Sequence, residues 1–173
     1  MSSDPEEITT YALWLIPGDP EFRELEKLIY DNQQLVQEPA FIPHITLLSG
    51  IEPEPDLSYR FQSLRRLTPG FTLRCRESGR GSDYFHCLYI PVIISAKLKW
   101  LRKRAENIFT FSSTRTFQPH ISLMYSDPRS TLVSNGISLL TDFTAREVNV
   151  VRLELWNTNG SVDNWKCIYR EKL

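Results

Sequence analysis

Apolar and polar positions in this chain follow two periods in turn, and each change of period marks an element. Residues 9–16 (Thr-Thr-Tyr-Ala-Leu-Trp-Leu-Ile) are β-prone and stop at Pro17-Gly18, which predicts a first strand. Asp19-Pro20 reads as an N-cap followed by proline at the first helical position. Phe22, Leu25, Leu28, Ile29, Leu35 and Val36 then recur at helical spacing, so a helix is expected to end before Pro39. Residues 41–48 read as a strand, and Leu57, Phe61, Leu64 and Leu67 as a second helix stopped by Thr68-Pro69-Gly70. Residues 71–76 look like a strand, and the glycine- and serine-rich stretch 78–82 like a flexible connection.

The order then repeats. A strand is expected over 84–94, a helix over 95–109 with Leu98, Leu101, Ala105 and Ile108 inward, and a strand over 117–125. A helix from Asp127-Pro128 to about Phe143, a long strand over 147–156, a turn at 157–160 and a returning strand over 164–170 complete the chain. Ile16 to His44 is 28 residues and Ile94 to His120 is 26, with similar segments at both ends of each interval. This predicts an α+β domain of two pseudo-symmetric lobes, residues 8–78 and 83–170. Each lobe would be a small, mainly antiparallel sheet with helices outside, the two sheets facing across a central cleft.

The repeated segments carry the chemistry. Residues 41–48 read Phe-Ile-Pro-His-Ile-Thr-Leu-Leu, and 117–124 read Phe-Gln-Pro-His-Ile-Ser-Leu-Met. On a strand, residues i and i+2 share a face. His44 and Thr46 therefore point one way, His120 and Ser122 do the same, and Ile45, Leu47, Ile121 and Leu123 anchor the strands in the core. A lone histidine on an apolar strand is ordinarily a hydrogen-bonded core residue; two in matched flanks at matched places in a repeat predict a shared site. Two imidazoles titrating near neutrality can accept one proton and donate another, while two hydroxyls donate to non-bridging phosphate oxygens. That set suits hydrolysis of a phosphate ester.

Composition narrows the class. With 173 residues, 41% hydrophobic and 24% charged, the chain fits one globular domain. A net charge of −1 argues against a protein that coats nucleic acid, since that binding comes from neutralising many phosphates. The polar, acidic first seven residues lack a signal-peptide pattern and no apolar run is long enough for a membrane span, so a cytoplasmic monomer without a membrane partner is expected. Cys75, Cys87 and Cys167 are an odd number without CxxC spacing and read as reduced thiols. His86, out of phase with both motifs, reads as structural. A catalytic zinc would have to draw on His44, His86 and His120, which show no local ligand spacing, so no metal is expected. Lys97, Lys99, Arg102, Lys103 and Arg104 read as the solvated face of a helix rather than an RNA patch, because Leu98 and Leu101 interleave with them. Tyr125, three residues beyond Ser122, is within reach of a substrate.

At this point the chain resembles the 2H phosphoesterase superfamily, marked by two His-x-Thr/Ser motifs in related lobes, and within it the plant and yeast cyclic nucleotide phosphodiesterases. The segments 11–17, 84–90, 120–125 and 153–158 with Trp165 carry the likeness across nearly the whole chain. The resemblance implies metal-independent, cofactor-free hydrolysis of ADP-ribose 1″,2″-cyclic phosphate and nucleoside 2′,3′-cyclic phosphates, linked to tRNA splicing. It implies His44 and His120 as the catalytic pair, Thr46 and Ser122 as phosphate ligands, and Tyr125 and Trp14 as substrate contacts. Between the two histidines it leans to His120 activating water and His44 protonating the leaving oxygen. An RNA-end enzyme of the 2′-5′ RNA ligase-like or U6-trimming type, and a non-catalytic nucleotide-binding module, are the alternatives.

Overall fold

The computed structural model describes residues 9–131, 143 and 145–173. The helix expected between Asp127 and Phe143 falls mostly outside them. The described strands are β1 (Tyr11–Pro17), β2 (Ile45–Ile51), β3 (Phe71–Arg74), β4 (Gly79–Arg80), β5 (Leu88–Pro91), β6 (His120–Met124), β7 (Glu147–Asn157) and β8 (Lys166–Lys172). The described helices of more than one turn are α1 (Glu21–Val36), α2 (Leu57–Arg66) and α3 (Ala96–Ile108). The α+β expectation holds, and the named strands pair antiparallel throughout.

The strands join differently from two opposed sheets. They form one hydrogen-bonded path, β3-β7-β1-β2-β6-β5-β4, with β8 also on β7. The two motif strands are neighbours in that path, held by one registered pair, Ile45 with Ile121. The path also returns on itself. Beyond β3, Cys75 bridges Val92, with Arg76 N–H donating to the Pro91 carbonyl and Ile93 N–H to that of Arg74, both at 2.8 Å. The halves thus exchange strands: β3 from the first pairs with β7 from the second, and its continuation touches the end of β5.

β1 explains its own unbroken apolar sequence, because both of its faces are covered. Leu13 and Leu15 enter the main core, while Ala12, Trp14 and Ile16 pack on the other face with Ile42, Trp156 and Trp165. Ile45, Leu47, Ile121 and Leu123 are fully buried, as their alternation predicts. Helix α1 buries Leu25, Leu28 and Ile29 together with two amides that complete the backbone around β6. Asn32 donates to the Leu123 carbonyl at 3.1 Å, and Gln33 accepts from Tyr125 N–H at 3.0 Å while donating to the Pro39 carbonyl at 2.9 Å. Buried backbone groups need such partners, so this helix fixes the end of the second motif.

Three local expectations are corrected. Pro20, not Asp19, occupies the N-cap of α1, without a side-chain cap, and Asp19 instead accepts from Arg23 Nε at 3.2 Å. Residues 78–82 are not a free connection, since Gly79 and Arg80 form β4 against β5. Residues 84–94 are not one strand: Tyr84–His86 is a 3-10 turn and only Leu88–Pro91 is strand. The glycines around β4 answer to close packing. A Cβ on Gly81 would lie 1.8 Å from the His86 carbonyl oxygen, and one on Gly79 would lie 3.1 Å from the Tyr89 ring. No helix among the described residues is long and apolar enough to cross a membrane.

Candidate active site

The residues before the motif histidines are prolines, which have no N–H to give. In both copies the imidazole supplies the missing donor: Nδ1 of His44 lies 2.7 Å from the Ile42 carbonyl, and Nδ1 of His120 lies 2.7 Å from that of Gln118. A carbonyl only accepts, so Nδ1 carries the proton in each ring and Nε2 keeps its lone pair. The same two-residue loop closure thus sets the same tautomer twice.

Extending the Ile45–Ile121 pair by one residue either way sets His44 opposite Ser122 and Thr46 opposite His120. The two imidazoles lie on a diagonal, with Cα atoms roughly 7–8 Å apart for such neighbours, and the hydroxyls occupy the other corners. His44, Thr46, His120, Ser122, Tyr125 and Trp14 all line one cavity of about 780 Å³, within the roughly 300–1,000 Å³ usual for a small-molecule site. Every sequence-derived candidate is therefore in one place.

Their settings differ. His44 is buried and stacks on Trp14 with centroids 3.7 Å apart and planes 12° from parallel. Trp14 stacks in turn on Trp156, whose Nε1–H donates to the fully buried carboxylate of Glu154 at 2.8 Å. Arg152 at 3.1 Å and Arg170 at 2.7 Å hold the same carboxylate. Trp14 is 2% exposed, so the structure makes it the platform beneath His44 rather than an open face for a ligand. Tyr125 is likewise buried; its ring stacks on Phe41 and its hydroxyl lies 3.5 Å from His44 Nε2. Burial pulls the His44 imidazole down to about 4, against the Ile42 carbonyl, which favours the charged ring. His120 is half-buried and is also lowered, chiefly by burial, with the neighbouring His86 adding to the effect. The Ser122 hydroxyl donates to the Phe85 carbonyl at 3.2 Å, whereas among the described residues nothing engages that of Thr46.

A model of the family described as cyclic phosphodiesterase-like protein matches residues 9–173. The chain belongs to this family. A cyclic phosphodiesterase from Arabidopsis thaliana is 22% identical over 118 residues, covering 68% of this chain and 65% of the relative, so the match spans just under two thirds of that relative's length. Among solved structures, Escherichia coli LigT complexed with 3′-AMP superposes with a TM-score of 0.63 at 16% identity, covering 96% of this chain and 99% of LigT. A structure described as a phosphoesterase gives 0.60 at 15% identity, covering 95% and 98%. These neighbours establish a LigT-like fold.

The family member's cavity has walls that the sequence reading left out. His86 lines it, stacked on Tyr89 and tilted against His120, which places this histidine beside the second motif. Its phase misled because the 84–86 segment is a 3-10 turn, which the preceding Gly-Ser-Asp run (81–83) signals. Arg115, alone among hydroxyl residues ahead of the second motif, stands exposed on the rim, with no carboxylate paired to it among the described residues. Arg102 is not a solvated residue of α3: it donates to the Leu47 carbonyl at 2.6 Å, pairs with Glu106 at 2.8 Å and lies over Phe117. Phe85 and Trp165 stack 5.9 Å apart on the cavity wall. Among the described residues no group of three His, Cys, Asp or Glu side chains is placed to hold a metal ion.

Proposed function

We propose that the protein hydrolyses a small five-membered cyclic phosphodiester by general acid and base catalysis from His44 and His120. The observation that carries this reading is the pair of Nε2 atoms, freed by identical Nδ1 bonds, set diagonally on neighbouring strands of one cavity. In-line displacement needs the attacking and leaving oxygens on opposite sides of phosphorus, and a diagonal pair serves both sides. One imidazole takes a proton from water as the water oxygen bonds to phosphorus. The bond from phosphorus to the ring oxygen breaks, and the other imidazole gives that oxygen its proton. Thr46 and Ser122 donate to the non-bridging oxygens, Ser122 by turning its hydroxyl from the Phe85 carbonyl.

The substrates that this reading favours are ADP-ribose 1″,2″-cyclic phosphate and nucleoside 2′,3′-cyclic phosphates, giving ADP-ribose 1″-phosphate and nucleoside 2′-phosphates. Family membership, the Arabidopsis relative's name and a cavity of nucleotide size support it. Turnover of both substrates in excess EDTA, with wild type beside His44→Ala and His120→Ala, tests it. Activity in the wild type and a loss of at least ~10²-fold in each variant are expected. Wild-type rates in both variants would remove the site assignment. Turnover only of an oligonucleotide with a 2′,3′-cyclic end would replace the substrate class with an RNA terminus, and binding without turnover would leave a nucleotide-binding module.

A further inference from the structure

The two motif copies match in sequence and in their Nδ1 bonds, but not in what their rings rest on. His44 rests on an indole, and His120 meets another imidazole: His86 lies 4.3 Å away, centroid to centroid, at 40°. His86 is itself stacked on Tyr89, with centroids 3.7 Å apart and planes 29° from parallel. The residue after β4 presses on this stack, and only a glycine at position 81 permits the approach, its missing Cβ facing the His86 carbonyl and Nδ1. His86 Nε2 is buried without a hydrogen-bond partner among the described residues. Tyr89 also meets His120, with centroids 5.4 Å apart and planes 65° from parallel, so the three rings form a cluster in which each touches the other two.

We propose that His86 is a positioning residue for His120: its ring caps one side of that imidazole and, when charged, opposes a charge on it, which reserves His120 for accepting a proton. The role of His120 in this statement rests on the two-histidine mechanism above; the contact does not. The charged groups around His86 come from separate elements. Burial holds the His86 imidazole below the ordinary histidine value; Asp83, just ahead of the 3-10 turn, favours a proton on it, and Arg115 from the loop before β6 disfavours one. β5 contributes the uncharged Tyr89 and β6 contributes His120. Two imidazolium ions in such tilted contact repel, so the His86–His120 pair accommodates one proton readily and a second with difficulty. On the other motif, the π face of Trp14 attracts a cation. Of the two motif rings, His120 is the one with a second imidazole in contact to oppose its charge, and His44 the one with an indole. Two sequence repeats acquire unlike roles from the ring each one touches.

The three histidines of the chain make the test direct. Imidazole nitrogen shifts are followed by NMR through a pH titration of the free, full-length protein, without substrate. In the wild type His86 is expected to take up its proton at a higher pH than His120; the reverse order would overturn the proposal without any variant. In His86→Gln the His120 midpoint should rise by roughly 0.5–1 pH unit, with that of His44 unmoved. His86→Phe, which keeps a ring in the cluster, should move it in the same direction. A folded variant whose His120 midpoint stays or falls would also overturn it. The acid limb of kcat/KM should move with the His120 midpoint. Because the NMR readout needs no turnover, a wrong substrate class and a wrong role for His86 give different results.

Discussion

Trp14 and His44 lie ring on ring, 3.7 Å apart and 12° from parallel, at the join of β1 and β2. The orientation of that pair is set from outside the motif. Glu154 holds the Trp156 indole, Trp156 backs Trp14, and Trp14 supports His44. Trp14→Leu should keep the strand apolar while removing both the platform and its attraction for a charged ring. The expected result is a fall in kcat of roughly 5–30-fold, from about 1–2 kcal/mol of desolvated cation–π interaction. Steady-state kinetics alongside near-UV circular dichroism checks it; an unchanged kcat in a folded variant would show that His44 does not depend on the indole.

The pH dependence follows from burial. Both motif imidazoles sit below the ordinary histidine value in the free protein, His44 at about 4 and His120 lowered in the same sense. The productive free form carries one proton on the pair, so kcat/KM should be bell-shaped with its maximum on the acid side of pH 6.5. The bound phosphodiester anion raises both groups, so the maximum of kcat should lie at higher pH. A kcat/KM profile that climbs steadily from about pH 5 to 9 would rule out a two-histidine mechanism.

Stability should respond to the same group. The folded-state His44 is depressed from 6.5 to about 4. Between those values the unfolded chain binds a proton at this position that the folded chain refuses, so stability falls as pH drops through that window. The full effect is roughly 3 kcal/mol. Urea unfolding at a series of pH values should show a shallower acid decline in His44→Leu than in the wild type, and parallel curves would refute the assignment.

Arg115 offers a test of binding separate from chemistry. Its guanidinium stands on the cavity rim without a carboxylate partner among the described residues. Arg115→Ala should raise KM for an anionic substrate about 5–10-fold and leave kcat nearly unchanged, and the difference should shrink as salt is added. A fall in kcat with KM intact would place this side chain at the reacting centre instead.

How far the sequence could be read depended on whether a feature was local. The strand alternation around His44 and His120 repeats over a few residues, so the shared faces and buried anchors were legible. The pairing of β2 with β6 was not, because one long-range rung, Ile45 with Ile121, decides it. Asn32 and Gln33 look like ordinary solvent-facing helix residues until β6 supplies the backbone groups that they satisfy. Gly79 and Gly81 suggest freedom in the sequence; in the structure a side chain at 81 would collide with the His86 backbone and one at 79 would crowd the Tyr89 ring. His86 is out of phase with both motifs, and it lies on a 3-10 turn that strand alternation does not describe.

The rung between Ile45 and Ile121 has a mechanical meaning. Because it joins the strands that carry both imidazoles, the gauge between donor and acceptor is a backbone dimension, like the spacing of rails fixed by their sleepers. Opening or closing of the outer walls would leave it unaltered, and most side-chain substitutions nearby could loosen a ring without changing the span. Inserting a single residue between His44 and Ile45 would act otherwise: with the rung kept, it would turn His44 towards the core, dismantling the site while the sheet still forms.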